Sequence, residues 1–274
     1  MTIIAISREL GSGGNQIGIA VAEALGFTYV DREIVLQAAS RFSVKEEKLE
    51  QVDERKLSFW ERFDDEKRRY LVFIEASIFS FAERGSVVLA GRGTPVMLRG
   101  IQHALRIRIT APFEVRVREV MGREGLDLKT AQDRVRTYDR EQAARIHYLF
   151  GVDWTAPQNY DLVINTERIT TEGAVSVISQ AARSATFRET PDSMQKVRDM
   201  SLAVQVRAAL AADPNLASLN IEVVAKAGVI SLRGVVFSEA TMEAAAAVAR
   251  SVPGVREVAT EAVEIPRIYP GPMM

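Results

Sequence analysis

Short apolar runs alternate with helical patterns over the first 180 residues of the chain. The runs are rich in β-branched and aliphatic residues and are bounded by turn residues, which is typical of strands. Strands separated by helices predict a parallel sheet covered by helices. The five predicted strands are Ile3–Ser7, Phe27–Val30, Ser86–Ala90, Leu105–Thr110 and Tyr160–Ile164.

Two of the segments between these runs carry clear helical signatures. Apolar Ile17, Val21 and Leu25 recur every four residues on one helical face, and Gly26 follows them as a C-cap. Residues Asp64–Arg84 predict a longer helix. The first 182 residues therefore read as one α/β domain.

The pattern changes after residue 182. Residues 183–198 are polar, contain a proline and lack periodicity, which predicts a linker. Residues 199–266 predict an independent αββαβ unit of about seventy residues, and residues 267–274 a frayed, proline-rich tail. The predicted elements of the second unit are Ser201–Ala212, Ile221–Ala227, Val229–Phe237, Glu239–Ser251 and Val255–Ile265.

Composition excludes several classes of function. The 274 residues carry a formal net charge of −1, so no global positive field recruits nucleic acid, and we expect no nucleic-acid partner. The absence of cysteine excludes disulfides and thiolate catalysis. The N-terminus does not look like a signal peptide, and no window approaches the ~20 apolar residues of a membrane span. We therefore expect a cytoplasmic protein.

A glycine-rich loop between the first strand and the first helix is the most informative segment. Glycines allow backbone N–H groups to approach an anion, and the helix N-terminus adds the positive end of its dipole. The alternative is a tight strand–helix turn without a ligand. The residues predicted to bind donor phosphates are Gly11, Ser12, Gly13, Gly14, Asn15 and Gln16.

This loop departs from the standard phosphate-loop pattern G-x-x-x-x-G-K-[ST]. Gly14 stands in the place of the lysine, and Arg8 stands in the place of the first glycine. The backbone cradle is kept, whereas the side chains that hold the β- and γ-phosphates and Mg²⁺ are missing. Arg8 is a candidate substitute because a guanidinium offers several donors to phosphate oxygens. Ser12 or water would have to serve the metal.

The loop and several motifs after it occur in order along residues 1–182. They are Ile6–Gly18, Ala22–Ile34, Ala90–Gly93, Leu105–Pro112, Asp139-Arg140, Arg145, Gly151–Trp154 and Tyr160–Asn165. Together these residues resemble the cytidylate kinase-like family, in the branch whose loop reads GSGG instead of GxGK. The resemblance implies a P-loop kinase-like fold with a five-stranded parallel sheet flanked by helices. It also implies transfer of the ATP γ-phosphoryl group, with Mg²⁺, to CMP or dCMP.

The resemblance implies roles for individual residues. Asp31 at the end of the second strand, the adjacent Arg32, and Arg92 between two glycines would bind the acceptor nucleotide. Arg140 and Arg145 correspond in region to the arginine-bearing lid, next to Asp139, and would be catalytic together with Arg8. On the residues alone, each lid arginine could instead form a surface salt bridge.

Residues 199–266 resemble the BON domain. Val229–Val236 supplies one strand motif of that family, and Val252–Val258 supplies the later one. The resemblance implies binding of a protein partner or a phospholipid, and we expect a regulatory or oligomerising role, including a homo-oligomer.

Two other functions remain open from the sequence. The missing lysine and the sparse lid favour a catalytically weak nucleotide-binding sensor that signals through the BON-like unit. A small-molecule kinase with another acceptor would also fit the residues around Asp31 and Arg92.

Overall fold

The computed structural model describes residues 2–42, 45, 64–236 and 238–264. Five parallel strands form the first sheet: β1 (Ile3–Arg8), β2 (Thr28–Val30), β3 (Val87–Ala90), β4 (Ala104–Thr110) and β5 (Leu162–Asn165). The accompanying helices are α1 (Gly14–Leu25), α2 (Glu33–Arg41), α3 (Asp64–Arg84), α4 (Thr94–Met97), α5 (Phe113–Glu124), α6 (Leu128–Phe150) and α7 (Thr171–Ala182). This arrangement confirms the predicted fold class.

Strand β1 lies at the centre of the sheet, whose order is β2-β3-β1-β4-β5. Ile3 and Ala5 face the core that contains α2 and α3, while Ile4 and Ile6 face the core that contains α1 and α7. Because β1 is buried on both faces, its sequence is a continuous apolar run. The carboxyl ends of the parallel strands meet at one edge, where α/β sheets bind their ligands.

The second unit is built around a three-stranded sheet. Its elements are α8 (Pro191–Ala212), β6 (Ile221–Lys226), β7 (Val229–Val235), α9 (Glu239–Ser251) and β8 (Glu257–Glu264). The central strand β7 pairs antiparallel with β6 and parallel with β8. The predicted order αββαβ is therefore confirmed.

The predicted linker over residues 183–198 is wrong in its second half. A short 3₁₀ turn forms at Ala185–Phe187, and α8 already begins at Pro191. Proline suits the first turn of a helix, and Thr190 and Ser193 form a capping box in which each side chain accepts from the other's backbone N–H. The capping residues and the proline that suggested a linker are thus the start signals of a helix.

Helix α8 is shared by both units. Val197, Val204 and Ala208 pack into the same core as α3, whereas Val206 and Leu210 pack into the core of the second unit. Polar contacts fix the helix to the first unit: Ser201 Oγ donates to Glu83 (2.8 Å), Arg207 to Glu75 (3.0 Å) and Arg41 to Gln205 (2.9 Å). The boundary between the units therefore runs along the helix and not through a linker.

Two further predictions, the frayed tail and the cytoplasmic location, are not tested by the described residues. The tail over residues 267–274 lies outside the described residues. Among the helices of the described ranges, none has the length and apolarity that crossing a membrane requires. The cytoplasmic location stays a prediction.

Because α8 belongs to two cores, we expect the chain to unfold in a single cooperative transition. Val204→Ala and Val206→Ala should each lower the free energy of unfolding by about 1–3 kcal/mol, through lost burial and a residual cavity. Val224→Ala is the control, since Val224 is 40% exposed. Denaturant titration followed by circular dichroism measures all three. Two separate transitions, each shifted by only one of the first two substitutions, would contradict the shared core.

Candidate functional site

The glycine loop joins β1 to α1 through two left-handed glycines. Gly11 has φ 80° and Gly13 has φ 73°, and Gly13 is the N-cap of α1. A Cβ on Gly11 would lie 2.5 Å from the backbone oxygen of Arg116 in α5, so a side chain there has no room. The loop therefore requires glycine at residue 11 for both backbone conformation and space.

The loop leaves the first amides of α1 facing a cleft. The first intrahelical bond runs from Ile17 N to Gly13 O, and among the described residues the amides of residues 14–16 have no protein acceptor. The cleft measures about 500 Å³ and lies between the loop, Arg118 of α5 and Thr170 before α7. Unpaired amides at a helix N-terminus form a site for a phosphate or another anion.

Ser12 faces into the loop. Its side chain is almost fully buried, and its hydroxyl donates to the carbonyl of Glu9 at 2.7 Å. Thr166 donates in turn to the carbonyl of Ser12 at 2.9 Å. In this arrangement the Ser12 hydroxyl stabilises the turn, and its predicted contact with Mg²⁺ stays a prediction.

The carboxylate of Glu9 anchors the loop to the sheet, a role that sequence reasoning missed. It accepts hydrogen bonds from Arg108 and from Thr110, both at 2.6 Å, and forms an ion pair with Arg116 at 3.3 Å. Glu9 and Arg108 are 99 residues apart, so spacing gives no hint of the pair. The available signal was the presence of two arginines, Arg106 and Arg108, among the apolar residues of strand β4, because a buried charge needs a partner.

Trp154 contacts both Arg108 and the end of β1 and so adds to the anchor of the loop. The Arg108 guanidinium lies 4.2 Å from the centre of the indole ring and donates to the Trp154 carbonyl at 2.9 Å. The indole N–H donates to Ser7 Oγ at 2.6 Å. Trp154 therefore holds the end of β1 in place without reaching the cleft over the loop.

Asp31, Arg8 and Arg92 form a cluster beside the loop. Asp31 accepts from Arg8 at 2.8 Å and from Arg92 at 2.7 Å, and its backbone carbonyl accepts from Arg92 at 2.8 Å. Arg92 has φ 54° between two left-handed glycines, Gly91 and Gly93. Strain at a non-glycine residue marks positions where side-chain placement matters. The structure thus brings Arg8, predicted from the loop, together with Asp31 and Arg92, predicted for the acceptor side.

A second cleft of about 1010 Å³ opens over this cluster. Arg32 and Arg145 line it together with Arg8, Asp31 and Arg92. The charged residues of its wall are Arg8, Arg32, Arg92, Arg134, Arg145, Asp31, Asp133 and Glu141, a formal excess of two positive charges. Such an excess suits an anionic ligand.

Two residues of α6 lie outside this cleft. Arg140 is exposed and is absent from the described lining, so its catalytic role stays a prediction without a contact that supports it. Asp139 accepts two hydrogen bonds from Arg116, at 2.9 and 2.8 Å. Asp139 therefore ties α6 to α5 and to the Glu9 anchor.

Tyr29 packs beneath the cluster, where a Cβ on Gly18 would lie 2.8 Å from its ring. Burial and, secondarily, the negative charge of Asp31 raise the pKa of Tyr29 to about 12. Its hydroxyl has no hydrogen-bond partner among the described residues. Burial without a partner disfavours the charged phenolate most strongly.

A parallel sheet in this strand order, with a glycine loop that feeds the N-terminus of α1, defines the class of P-loop kinase-like folds. Residues 3–168 match the model of the cytidylate kinase-like family. The chain belongs to that family. Residues 198–266 match the BON domain, in agreement with the resemblance noted from the sequence.

Curated proteins similar in sequence to this chain include cytidylate kinases. The cytidylate kinase of Pyrococcus horikoshii is 28% identical over 180 residues, which are 65% of this chain and 87% of that protein. The cytidylate kinase of Methanopyrus kandleri is 33% identical over 118 residues, which are 40% of this chain and only 61% of that protein. An uncharacterized protein from Eubacterium ventriosum matches in structure with a TM-score of 0.54 and 22% identity, over 67% of this chain and 99% of that one. This last likeness shows the fold alone.

We expect Tyr29→Phe to leave stability at pH 7 unchanged or to raise it by about 1 kcal/mol, because the lost hydroxyl has no partner. Because burial holds the pKa of Tyr29 at about 12, above the ordinary tyrosine pKa of 10.0, the unfolded chain ionises first. Stability thus falls as the pH rises from 10 toward 12 and is unaffected by this group below that range. The variant should therefore lose less stability than wild type over that range. Thermal melts at pH 7–11.5 test this.

Tyr160→Phe is the matched control. The Tyr160 hydroxyl donates to the Trp154 carbonyl at 2.7 Å, so this variant should be less stable at pH 7 by about 1 kcal/mol. Equal losses at pH 7 for the two variants would show that the Tyr29 hydroxyl has a partner after all.

Proposed function

We propose that this protein is a nucleoside monophosphate kinase that transfers the ATP γ-phosphoryl group to CMP or dCMP. One observation carries the proposal: Arg8 contacts the loop residue Asn15 and the acceptor-side residue Asp31 at the same time. A candidate donor site and a candidate acceptor site thus meet at one guanidinium. Phosphoryl transfer depends on positioning and on cations near the transferring oxygens, and little covalent chemistry is asked of the protein.

On the donor side, the amides of residues 13–16 would hold the phosphates of ATP. Gly11 and Ser12 would shape the turn, and Asn15 and Gln16, both exposed, would contact the phosphate edge. The nucleoside would occupy the cleft of about 500 Å³ between Arg118 and Thr170. In this assignment the unpaired N–H groups at the start of α1 donate to the phosphate oxygens, and the positive end of the helix dipole attracts their negative charge.

Mg²⁺ would enter with ATP and neutralise charge on its phosphates. Among the described residues, no group of three or more histidine, aspartate or glutamate side chains is placed to hold a metal ion. Ser12 faces inward, and Asp31 is bound by two arginines. These residues fit an ion carried mainly by phosphate oxygens and water, and do not form a cage for a resident metal.

On the acceptor side, Arg92 and Arg32 would bind the acceptor phosphate, and Asp31 would orient both Arg92 and Arg8. Arg145 would approach the transferring group from α6. Arginine suits each of these positions because its planar fork binds phosphate oxygens in pairs and stays charged. The acceptor oxygen of a nucleoside monophosphate is already anionic, so no general base is required.

The direct test measures ADP release in a coupled assay with CMP, dCMP, UMP and AMP. The expected result is turnover with CMP or dCMP above the rate with UMP or AMP. No acceptor-dependent ADP release with any of the four would contradict the proposal.

A nucleotide sensor is the second candidate, and the shared helix α8 is the observation that favours it. Arg41, at the end of α2, donates to Gln205 of α8, and α2 begins directly after the acceptor residues Asp31 and Arg32. A change at Asp31 on nucleotide binding would then reach the BON domain through α2 and α8. We expect the ligand of the BON domain to be a protein or a phospholipid. Tight binding of ATP without turnover would favour this sensor function. Turnover with a non-nucleotide acceptor would instead favour a small-molecule kinase.

We expect Gly13→Val to abolish ATP binding, because its side chain would project into the cleft over the amides. Nothing lies within 4 Å of a Cβ at residue 13, so the residue itself is not buried against protein. Gly26→Val is the matched control. Gly26 caps the other end of α1, has φ 67° and also has open space around its Cβ.

Both substitutions should cost about 1–3 kcal/mol of stability through the same left-handed strain. Only Gly13→Val should lose ATP binding in calorimetry. Equal ATP affinities for the two variants would show that phosphate binds away from this loop.

A further inference from the structure

The side chains of residues 8 and 14 compete for one volume. A Cβ built on Gly14 would lie 2.5 Å from the Cβ of Arg8 and 3.3 Å from its Cγ. Gly14 is buried and is the first residue of α1, and it has no positive φ that would call for glycine. Space, and not backbone conformation, therefore explains glycine at this position.

Arg8 uses this volume to place its guanidinium between the two candidate sites. Its Nε donates to Asn15 Oδ1, and its Nη2 donates to Asp31 at 2.8 Å. A Cβ on Gly91 would collide with Nη1, so the glycine before Arg92 also makes room for this guanidinium. The side chain is 18% exposed, on the wall of the larger cleft.

The standard phosphate loop has the reverse arrangement, with glycine at the first position and lysine six residues later. We propose that residues 8 and 14 have exchanged these roles, so that Arg8 is the phosphate-binding cation that replaces the lysine. The cationic side chain is thus attached to the last residue of β1 and not to the first residue of α1. The Cβ of Arg8 lies 2.5 Å from the position that a Cβ at residue 14 would take.

This inference rests on the proposed function and specifies how the transferring phosphoryl group is bound. In the transfer, the bond from the γ-phosphorus to the oxygen of the ADP leaving group breaks, and a bond to an oxygen of the acceptor phosphate forms. Arg8 exchanges no proton; it donates hydrogen bonds to the non-bridging oxygens. A guanidinium has five N–H donors, which allows it to keep Asp31 and Asn15 while it binds phosphate.

A cycle of four proteins tests the exchange: wild type, Arg8→Gly, Gly14→Lys, and the double variant. The readout is the affinity for Mg·ATP in calorimetry without an acceptor. Arg8→Gly should weaken binding at least about tenfold, the loss expected for hydrogen bonds to a charged group. Gly14→Lys alone should also weaken binding, because two side chains then collide. The double variant should bind within about threefold of wild type, since it restores one cation in the shared volume.

Arg8→Gly/Gly14→Ala is the control, because it has the same free space without a cation. It should bind as weakly as Arg8→Gly. The proposal is overturned if this control and the double variant bind ATP equally well, or if Arg8→Gly binds like wild type. Thermal melts confirm folding of every protein.

Should the double variant fail to fold, Arg8→Met decides instead, because it keeps the length of the side chain and removes the charge. It should show the same loss of affinity of at least about tenfold; unchanged affinity would overturn the proposal. The readout is independent of the acceptor. If wild type binds ATP but phosphorylates none of the four nucleotides, the proposed kinase function fails, while the cycle still decides the role of Arg8.

Discussion

Steric crowding at the carboxyl end of β1 governs the whole site. Two arginines lie against the loop in space, and glycines from separate segments make room for them: Gly14 and Gly91 for the side chain of Arg8, and Gly11 for the backbone of Arg116. Among the described residues, the amides of residues 14–16 at the start of α1 have no protein acceptor. The loop therefore combines unpaired backbone amides with a cation whose position is fixed by packing beside them.

Electrostatics follow from this packing. Glu9 and Asp31 each bridge two arginines, so every buried guanidinium near the loop has a carboxylate within ion-pair distance. Pairing is needed because an isolated charge loses several kcal/mol of hydration on burial. Glu9 serves the scaffold, since its partners lie in β4 and α5. Asp31 serves the site, since its partners face the larger cleft, where positive charge remains in excess.

Sequence periodicity predicted the five strands of the first sheet, the helices α1 and α3, and the order of elements in the second unit, because each of these segments follows one simple pattern. Residues 191–200, the first part of α8, were missed because their polar residues and Pro191 also suit a linker, whereas Ser201–Ala212 was predicted. The buried residues of α8 face two different cores, as Val204 and Val206 show, so no single apolar stripe runs along the whole helix. The anchor of Glu9 on Arg108 could not be predicted either, since only the folded sheet brings these residues together. In helix α6, Arg140 and Arg145 are five positions apart, which places them about 140° apart around the helix. Only one of them can face the cleft.

The central claim is that the backbone amides at the start of α1 bind the phosphates of ATP. The most direct measurement is an amide NMR titration with Mg·ATP, in which the glycine resonances are well separated reporters. The account predicts large shifts for the amides of Gly13 and Gly14, and none for Gly26 and Gly125, which cap helices α1 and α5 at their opposite ends. Saturable shifts confined to other parts of the chain, with Gly13 and Gly14 unchanged, would contradict it.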